Sequence, residues 1–196
     1  ACLRNNIAVI SDEIYGDLTY DFNHVPFPTI PGAKKNTIYL NGFSKSYAMT
    51  GWRVGYVCGP KDVIDGMTKI HQYTIMCVPI MSQMAALEAI KNGEDDVRAM
   101  KMEYERRRRF IWSSLNKIGL KSHLPCGAFY LFPSIKITGL DSMTFAKKLL
   151  KEERVALIPG TAFGQEGYVR ISYASSMDNL KESVIRIERF LKKIKK

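Results

Sequence analysis

The chain has 196 residues, 46% of them hydrophobic, and a formal net charge of +10. That composition excludes a disordered polyelectrolyte and leaves ample length for a core, in one large domain or two small ones. The positive excess favours anionic partners, among them nucleic acid, membranes and phosphorylated cofactors, without choosing between them. Cys2, Cys58, Cys77 and Cys126 are widely spaced, with no C-x-x-C pair and no histidine cluster nearby. The spacing argues against structural zinc and a disulfide framework, and the thiols read as reduced, buried residues of a cytoplasmic protein. No apolar run reaches membrane-spanning length, and no signal peptide is visible. The opening residues read as the end of a helix entered midway, with Asn5-Asn6 as its stop, so the chain is expected to begin inside a larger protein.

In chain order, Ile7–Ser11 reads as a short buried strand of a parallel sheet. Asp12-Glu13-Ile14-Tyr15 follows at its carboxyl end, where open α/β sheets bind ligands. An Asp there also serves as an ordinary cap or turn residue. Residues 21–36, with Pro26, Pro28, Pro31 and Gly32, read as loop. Thr37–Asn41 is a second strand that delivers the chain to Gly42 and Lys45. Val54–Cys58 is a third, closed by Gly59-Pro60. Val63, Ile64, Met67 and Ile70 recur at helical spacing and predict a helix over 61–73. Ser82–Lys91 predicts another, ended by Asn92-Gly93. Glu94–Lys117 reads as a long amphipathic helix, with Met100, Tyr104, Phe110, Ile111 and Leu115 toward its buried side. Arg106–Arg109 on this helix covers more than one face, which points to a solvated, partly salt-bridged surface rather than a nucleic-acid stripe. Beyond it come a strand over Gly127–Pro133, a helix over 143–152, a strand over 155–158, a strand over 168–173 and a lysine-rich terminal helix over 178–194. That order makes a compact α+β unit. A boundary near Pro79 divides the chain into 1–79 and 80–196. His24, His71 and His123 are isolated and read as surface or packing residues.

One stretch holds a lysine among small residues, with an arginine beyond it: Gly42-Phe43-Ser44-Lys45-Ser46-Tyr47-Ala48-Met49-Thr50-Gly51-Trp52-Arg53-Val54-Gly55. Small side chains let a backbone and a ligand approach closely. Together with the strand tip at Asp12, this set suits pyridoxal phosphate. Lys45 supplies an amine for the aldehyde. Asp12 supplies a carboxylate for the ring nitrogen. Tyr15 supplies a hydroxyl for the ring oxygen. Arg53 supplies a guanidinium fork for the phosphate.

Residues 42–55 resemble the lysine signature of the class I (fold-type I) aminotransferases, and Asp12–Tyr15 resembles that family's cofactor-ring motif. Pro125-Cys126-Gly127-Ala128-Phe129-Tyr130 is similar to its small-domain turn and strand. Pro159-Gly160, Phe163-Gly164 and Tyr168-Val169-Arg170-Ile171-Ser172 are similar to the segment whose arginine grips the substrate α-carboxylate. The wording of Ala48–Arg53 is closest to the aspartate and broad-specificity subgroup. The resemblance implies an α/β fold: residues 1–79 would be the C-terminal part of a large cofactor domain with a mostly parallel sheet, and 80–196 an interdomain helix and small α+β domain. It implies transamination between an amino acid and a 2-oxo acid, with Lys45 catalytic, Asp12, Tyr15, Lys45 and Arg53 on the cofactor, and Arg170 on the substrate. It implies a homodimer for the full-length protein, and no metal, nucleic acid or membrane. It covers the C-terminal half of a family member; the phosphate loop, ring-stacking aromatic and Asn-Pro-Thr-Gly motif of the other half do not occur in this chain. Gly42 stands where some members have a phosphate-contacting serine. A β-lyase or aminocyclopropane-carboxylate-synthase-like enzyme shares the same residues and is the neighbouring alternative. A basic nucleic-acid-binding module is the distant one.

Overall fold

The computed structural model describes residues 1–194. The chain forms two compact units, one from Ala1 to Lys101 and one from Met102 onward, and the division falls inside a helix.

In the first unit, β1 (Val9–Asp12), β2 (Thr37–Gly42) and β3 (Gly55–Cys58) form one sheet in the order β1-β2-β3. β1 and β2 run parallel, with Asp12 opposite Leu40. β2 and β3 run antiparallel, with Gly42 opposite Gly55. The sheet is therefore mixed: a long crossover separates β1 from β2, while the chain between β2 and β3 turns straight back. Proline and glycine keep that crossover free of α-helix, and it holds only short 3-10 turns at Phe27–Thr29 and Ala33–Asn36. Helices α1 (Lys61–Thr74) and α2 (Ile80–Asn92) follow, each opening just after a proline, Pro60 or Pro79. α3 (Glu94–Lys117) begins with Glu94, Asp95 and Asp96, which suit the positive pole of a helix. The buried centre is small: Phe43, Met49 and Ala86, with Tyr47, Val54, Ala85 and Ala89 packed around them.

The expectation that β1 is buried does not hold for these residues, because Ile10 is 69% exposed. Its ladder partner Ile38 is only half-buried, so this face of the sheet is sparsely covered among the described residues. The cysteines also differ from expectation: Cys58, Cys77 and Cys126 are exposed and Cys2 is half-buried. Cys58 ends β3, a mostly exposed strand, and Cys77 lies in the short link between α1 and α2.

The second unit has a closed core. β4 (Tyr130–Leu131), β6 (Val169–Ser172) and β5 (Ile158–Pro159) form an antiparallel sheet in the order β4-β6-β5. α4 (Ser142–Glu153) and α5 (Met177–Ile194) pack together, with Phe145 and Phe190 edge to face at 5.4 Å. Leu131, Ile135, Leu149, Val169, Tyr173 and Ile187 are almost fully buried. Two predicted strands are shorter than expected, because only Tyr130–Leu131 and Ile158–Pro159 find ladder partners on β6. The arginine run is partly salt-bridged, as expected, but one of its members is not solvated. Arg106 and Arg107 bond Glu103, Arg109 bonds Glu105, and Arg108 is fully buried, donating to Glu105 and to the Pro125 carbonyl. Acids one turn back on the helix thus hold this cationic surface.

Candidate active site

The first unit gathers four of the five candidate residues. β1 and β2 are parallel neighbours, so their carboxyl ends lie on one edge, and the chain leaves that edge at Asp12 and at Gly42. Asp12 is exposed at its strand tip, and its Oδ1 accepts the Ile14 N–H at 3.2 Å. Tyr15 sits on the turn just beyond, closed by the Gly16 N–H donating to the Glu13 carbonyl at 2.8 Å. Lys45 and Tyr15 meet: the Lys45 Nζ lies 5.9 Å from the centre of the Tyr15 ring. Both side chains are half-buried.

The loop that carries Lys45 is tied at both ends. Gly42 faces Gly55 so closely that a Cβ on Gly42 would lie 3.0 Å from the Gly55 Cα and 3.1 Å from the Val54 carbonyl. Only glycine permits that approach without moving backbone. Inside the loop, the Phe43 N–H bonds the Val54 carbonyl, the Met49 N–H bonds the Phe43 carbonyl, and the Thr50 hydroxyl donates to the Ser44 carbonyl at 2.8 Å. Phe43 and Met49 anchor it to the small core beside α2. Ala48 and Arg53 both have left-handed backbone, at φ 53° and 55°. Such a conformation costs a non-glycine residue of order 1 kcal/mol, so the loop's bonds and packing hold it there. Arg53 is exposed, its Nη1 donating to the Thr50 carbonyl at 2.8 Å. Among the described residues no carboxylate pairs with it.

Arg170 lies in the second unit, on β6 opposite Ile158. Its guanidinium carbon stands 4.4 Å from the centres of both the Tyr130 and the Phe163 rings. Two aromatic faces hold the guanidinium plane in one orientation while leaving its edge for an anion. Tyr130 and Phe163 belong to segments already singled out in the sequence, but their role as a clamp follows from the antiparallel pairing and the turn over Gly160–Phe163, which no periodicity reveals.

A second arrangement escaped the sequence reading. Glu13, between Asp12 and Tyr15, is 5% exposed. It accepts from the Ser11 hydroxyl at 2.9 Å and the Phe27 N–H at 2.8 Å, and its Oε2 lies 2.5 Å from the His24 Nε2. Burial pushes its carboxyl up, yet the bonds from His24, Phe27 and Ser11 outweigh burial and leave it below the usual range. His24, isolated in sequence, is thus one partner of a buried carboxylate. Elsewhere in this unit, Tyr56 is pushed up to about 12 by burial and by neighbouring Tyr39. A cavity of about 470 Å³ lies beside the lysine loop, lined by Ser46, Tyr47, Met49, Glu88, Asp96 and Met100 among others. None of the five candidate residues lines it. No cluster of metal-ligating side chains occurs among the described residues, and no helix there is long and apolar enough to cross a membrane.

The structure thus brings a lysine beside a phenol at the carboxyl edge of a parallel strand pair, with a carboxylate at the neighbouring tip. Comparison with known proteins defines the class. Residues 1–187 match the family model described as aminotransferase class I and II, and the chain belongs to that family. Its members are dependent on pyridoxal phosphate. The chain is 50% identical over 192 residues to a putative aminotransferase, YugH, of Bacillus subtilis, covering 97% of this chain and 50% of that one. It is 43% identical to an aspartate aminotransferase of Pyrococcus abyssi, covering 98% and 51%. Among solved structures, the aromatic aminotransferase from Pyrococcus horikoshii superposes with a TM-score of 0.95 at 45% identity, covering 99% of this chain and 53% of that one. The α/β fold is thus shared, and the chain spans about half the length of the curated relatives it matches.

Proposed function

We propose that this chain carries the lysine-bearing half of the active site of a pyridoxal-phosphate-dependent aminotransferase, which moves an amino group between an amino acid and a 2-oxo acid. The observation that carries the reading is the juxtaposition of Lys45 and Tyr15 at the strand edge that also presents Asp12. The residues fit the cofactor chemically: an amine beside a phenol, a carboxylate at a strand tip, and an arginine with no carboxylate partner among the described residues. Pyridoxal phosphate, when bound, supplies an aldehyde that accepts the amino group and a ring that withdraws electrons from the substrate's Cα. Asp12 would hold the proton on the ring nitrogen. Tyr15 would donate its hydroxyl hydrogen to the ring oxygen, and Arg53 would bind the phosphate through a charged fork. Lys45 would hold the cofactor by its amine and, once displaced by the incoming amine, take the proton from the substrate's Cα. Arg170, its plane set by Tyr130 and Phe163, would bind the α-carboxylate and so orient the bond to be broken.

In this reading residues 1–79 complete a mostly parallel large-domain sheet, with β3 as its antiparallel strand, and 80–196 supply the interdomain helix and small domain. The whole protein is a cytoplasmic homodimer. The names of the relatives favour transamination over lyase or cyclopropane chemistry. The engagement of Arg106–Arg109 by Glu103, Glu105 and Pro125 speaks against a nucleic-acid surface. The test is turnover of an amino acid with a 2-oxo acid acceptor by the whole protein and its Lys45→Ala variant. The variant should lose turnover by at least about 10²–10⁴-fold and lose the absorbance band of lysine-bound cofactor. Transamination at near the parental rate in Lys45→Ala overturns the assignment.

A further inference from the structure

Glu13 is a carboxylate with an unusual address. Successive side chains on an extended strand point to opposite faces. Asp12 at the tip of β1 is exposed, and the next residue turns its carboxylate inward to 5% exposure. Burying a charge is unfavourable unless its oxygens are satisfied. Here they are: the Ser11 hydroxyl and the Phe27 N–H reach Oε1, and His24 reaches Oε2. Two of these partners come from the loop after Tyr15, eleven and fourteen residues along the chain. The Glu13 main chain is committed as well. Its N–H continues the ladder to the Leu40 carbonyl at 2.9 Å, and its carbonyl accepts the Gly16 N–H at 2.8 Å. His24 also packs on the turn, where a Cβ at Gly16 would meet its Cδ2 at 3.0 Å.

The consequence is geometric. Asp12 and Tyr15 lie on either side of Glu13: Asp12 ends β1 opposite Leu40 with its side chain exposed, and Tyr15 lies on the turn just beyond, its carbonyl accepting the Leu18 N–H at 2.9 Å. Between them the Glu13 carboxylate is the most deeply buried group, held by a loop that contains no α-helix or strand. We propose that Glu13 and His24 form a clasp that positions Asp12 and Tyr15 against the cofactor, with the loop through Phe27 as its far side. The inference rests on the reading of Asp12 and Tyr15 as cofactor residues. Glu13 and His24 touch neither cofactor nor substrate in this scheme; they are positioning residues. Ring hydrogen bonds are sensitive to displacement, and a shift of about 1 Å at such a site can cost a hundredfold.

The test uses the whole protein loaded with pyridoxal phosphate, in the parent and in Glu13→Gln, His24→Ala, His24→Gln and Tyr15→Phe variants. Glu13→Gln keeps the shape and one acceptor oxygen, so it retains the fold where a larger change would not. Two readouts are followed: the dissociation constant of the cofactor, and the pH midpoint of the bound cofactor's absorbance. The clasp predicts that Glu13→Gln and His24→Ala weaken cofactor binding by at least about tenfold. It also predicts that both move the absorbance midpoint in the direction that Tyr15→Phe moves it. His24→Gln, which keeps a side-chain donor, should return both readouts to within about twofold of the parent. Variants with a lowered melting temperature but unchanged affinity and midpoint would show a purely structural pair and overturn the clasp alone. A parent protein that binds no pyridoxal phosphate would overturn the clasp together with the functional reading beneath it.

Discussion

Arg170 shows how neighbours can orient one side chain for the role proposed for it. On a strand of alternating residues an arginine is by default a solvated residue of the polar face. Here Tyr130 from the paired strand and Phe163 from the turn before it close on both sides of the guanidinium. Lysine keeps the charge but not the plane, the stacking or the two parallel donors. Arg170→Lys in the whole enzyme should therefore raise KM for the amino acid by about tenfold or more, with a smaller change in kcat. Steady-state kinetics decides the point, and an unchanged KM would remove Arg170 from the substrate site. Gly160 acts at the same scale. A Cβ there would lie 2.2 Å from the Gln165 carbonyl and 2.5 Å from the Tyr168 carbonyl, both of them backbone. Gly160→Ala should destabilise the fold by about 3 kcal/mol, measured by urea unfolding, because the turn that places Phe163 cannot close around it. At this scale the sequence singled out candidates whose chemistry is intrinsic, such as the amine of Lys45 and the guanidinium of Arg53. It was not legible for Glu13 and His24, whose pairing joins positions eleven residues apart through a loop with no periodicity.

Among the elements, α4 and α5 are joined by a carboxylate. Glu153, the last residue of α4, is 2% exposed, yet it accepts from Arg189 and from Lys193 at 2.7 Å, while Arg186 donates to its carbonyl at 3.1 Å. Hydrogen bonds from Arg189 and Lys193 hold its carboxyl down at about 2, against an ordinary 4.5. A carboxyl depressed in the folded state stabilises the fold above its unfolded value and ceases to do so as pH falls through its folded value. The contribution is therefore complete above about pH 4.5 and fades toward pH 2. Thermal unfolding between those limits should show a drop in melting temperature that Glu153→Gln lessens. Equal slopes in the two proteins would show that the ion cluster does not couple the helices. The positions of α4 and α5 were readable from their 3.6-residue periodicity. Their union was not, because Glu153 looks like any helix-end acid until Arg189 and Lys193 fold over it. The strands over 127–133 and 155–158 were overextended for a related reason: apolar runs mark what can be buried, while a ladder needs a partner at each residue.

At the scale of the whole molecule the two units differ in how well they close. The second hides Ile111, Leu115, Phe145 and Phe190 completely. The first leaves Ile10, Ile70, Tyr73, Met76, Ile80 and Met81 at 67% exposure or more. Apolar surface on that scale drives association in water. This chain on its own at micromolar concentration should therefore bind a hydrophobic dye and scatter light as concentration rises. A monomer at all concentrations in sedimentation, without dye binding, would show the surface to be innocuous. The sequence by itself determined most of the helices and strands, the α/β class and the family, and it named the residues proposed to do the chemistry. It could do so because those properties reside in local periodicity and in contiguous motifs, as in the run from Gly42 to Gly55. Only the tertiary structure decided that Lys45 meets Tyr15, that two rings orient Arg170, and that His24 closes over a buried Glu13. Each of those depends on strand pairing and loop closure between distant positions, whose register is set by packing rather than by any one segment's own preference.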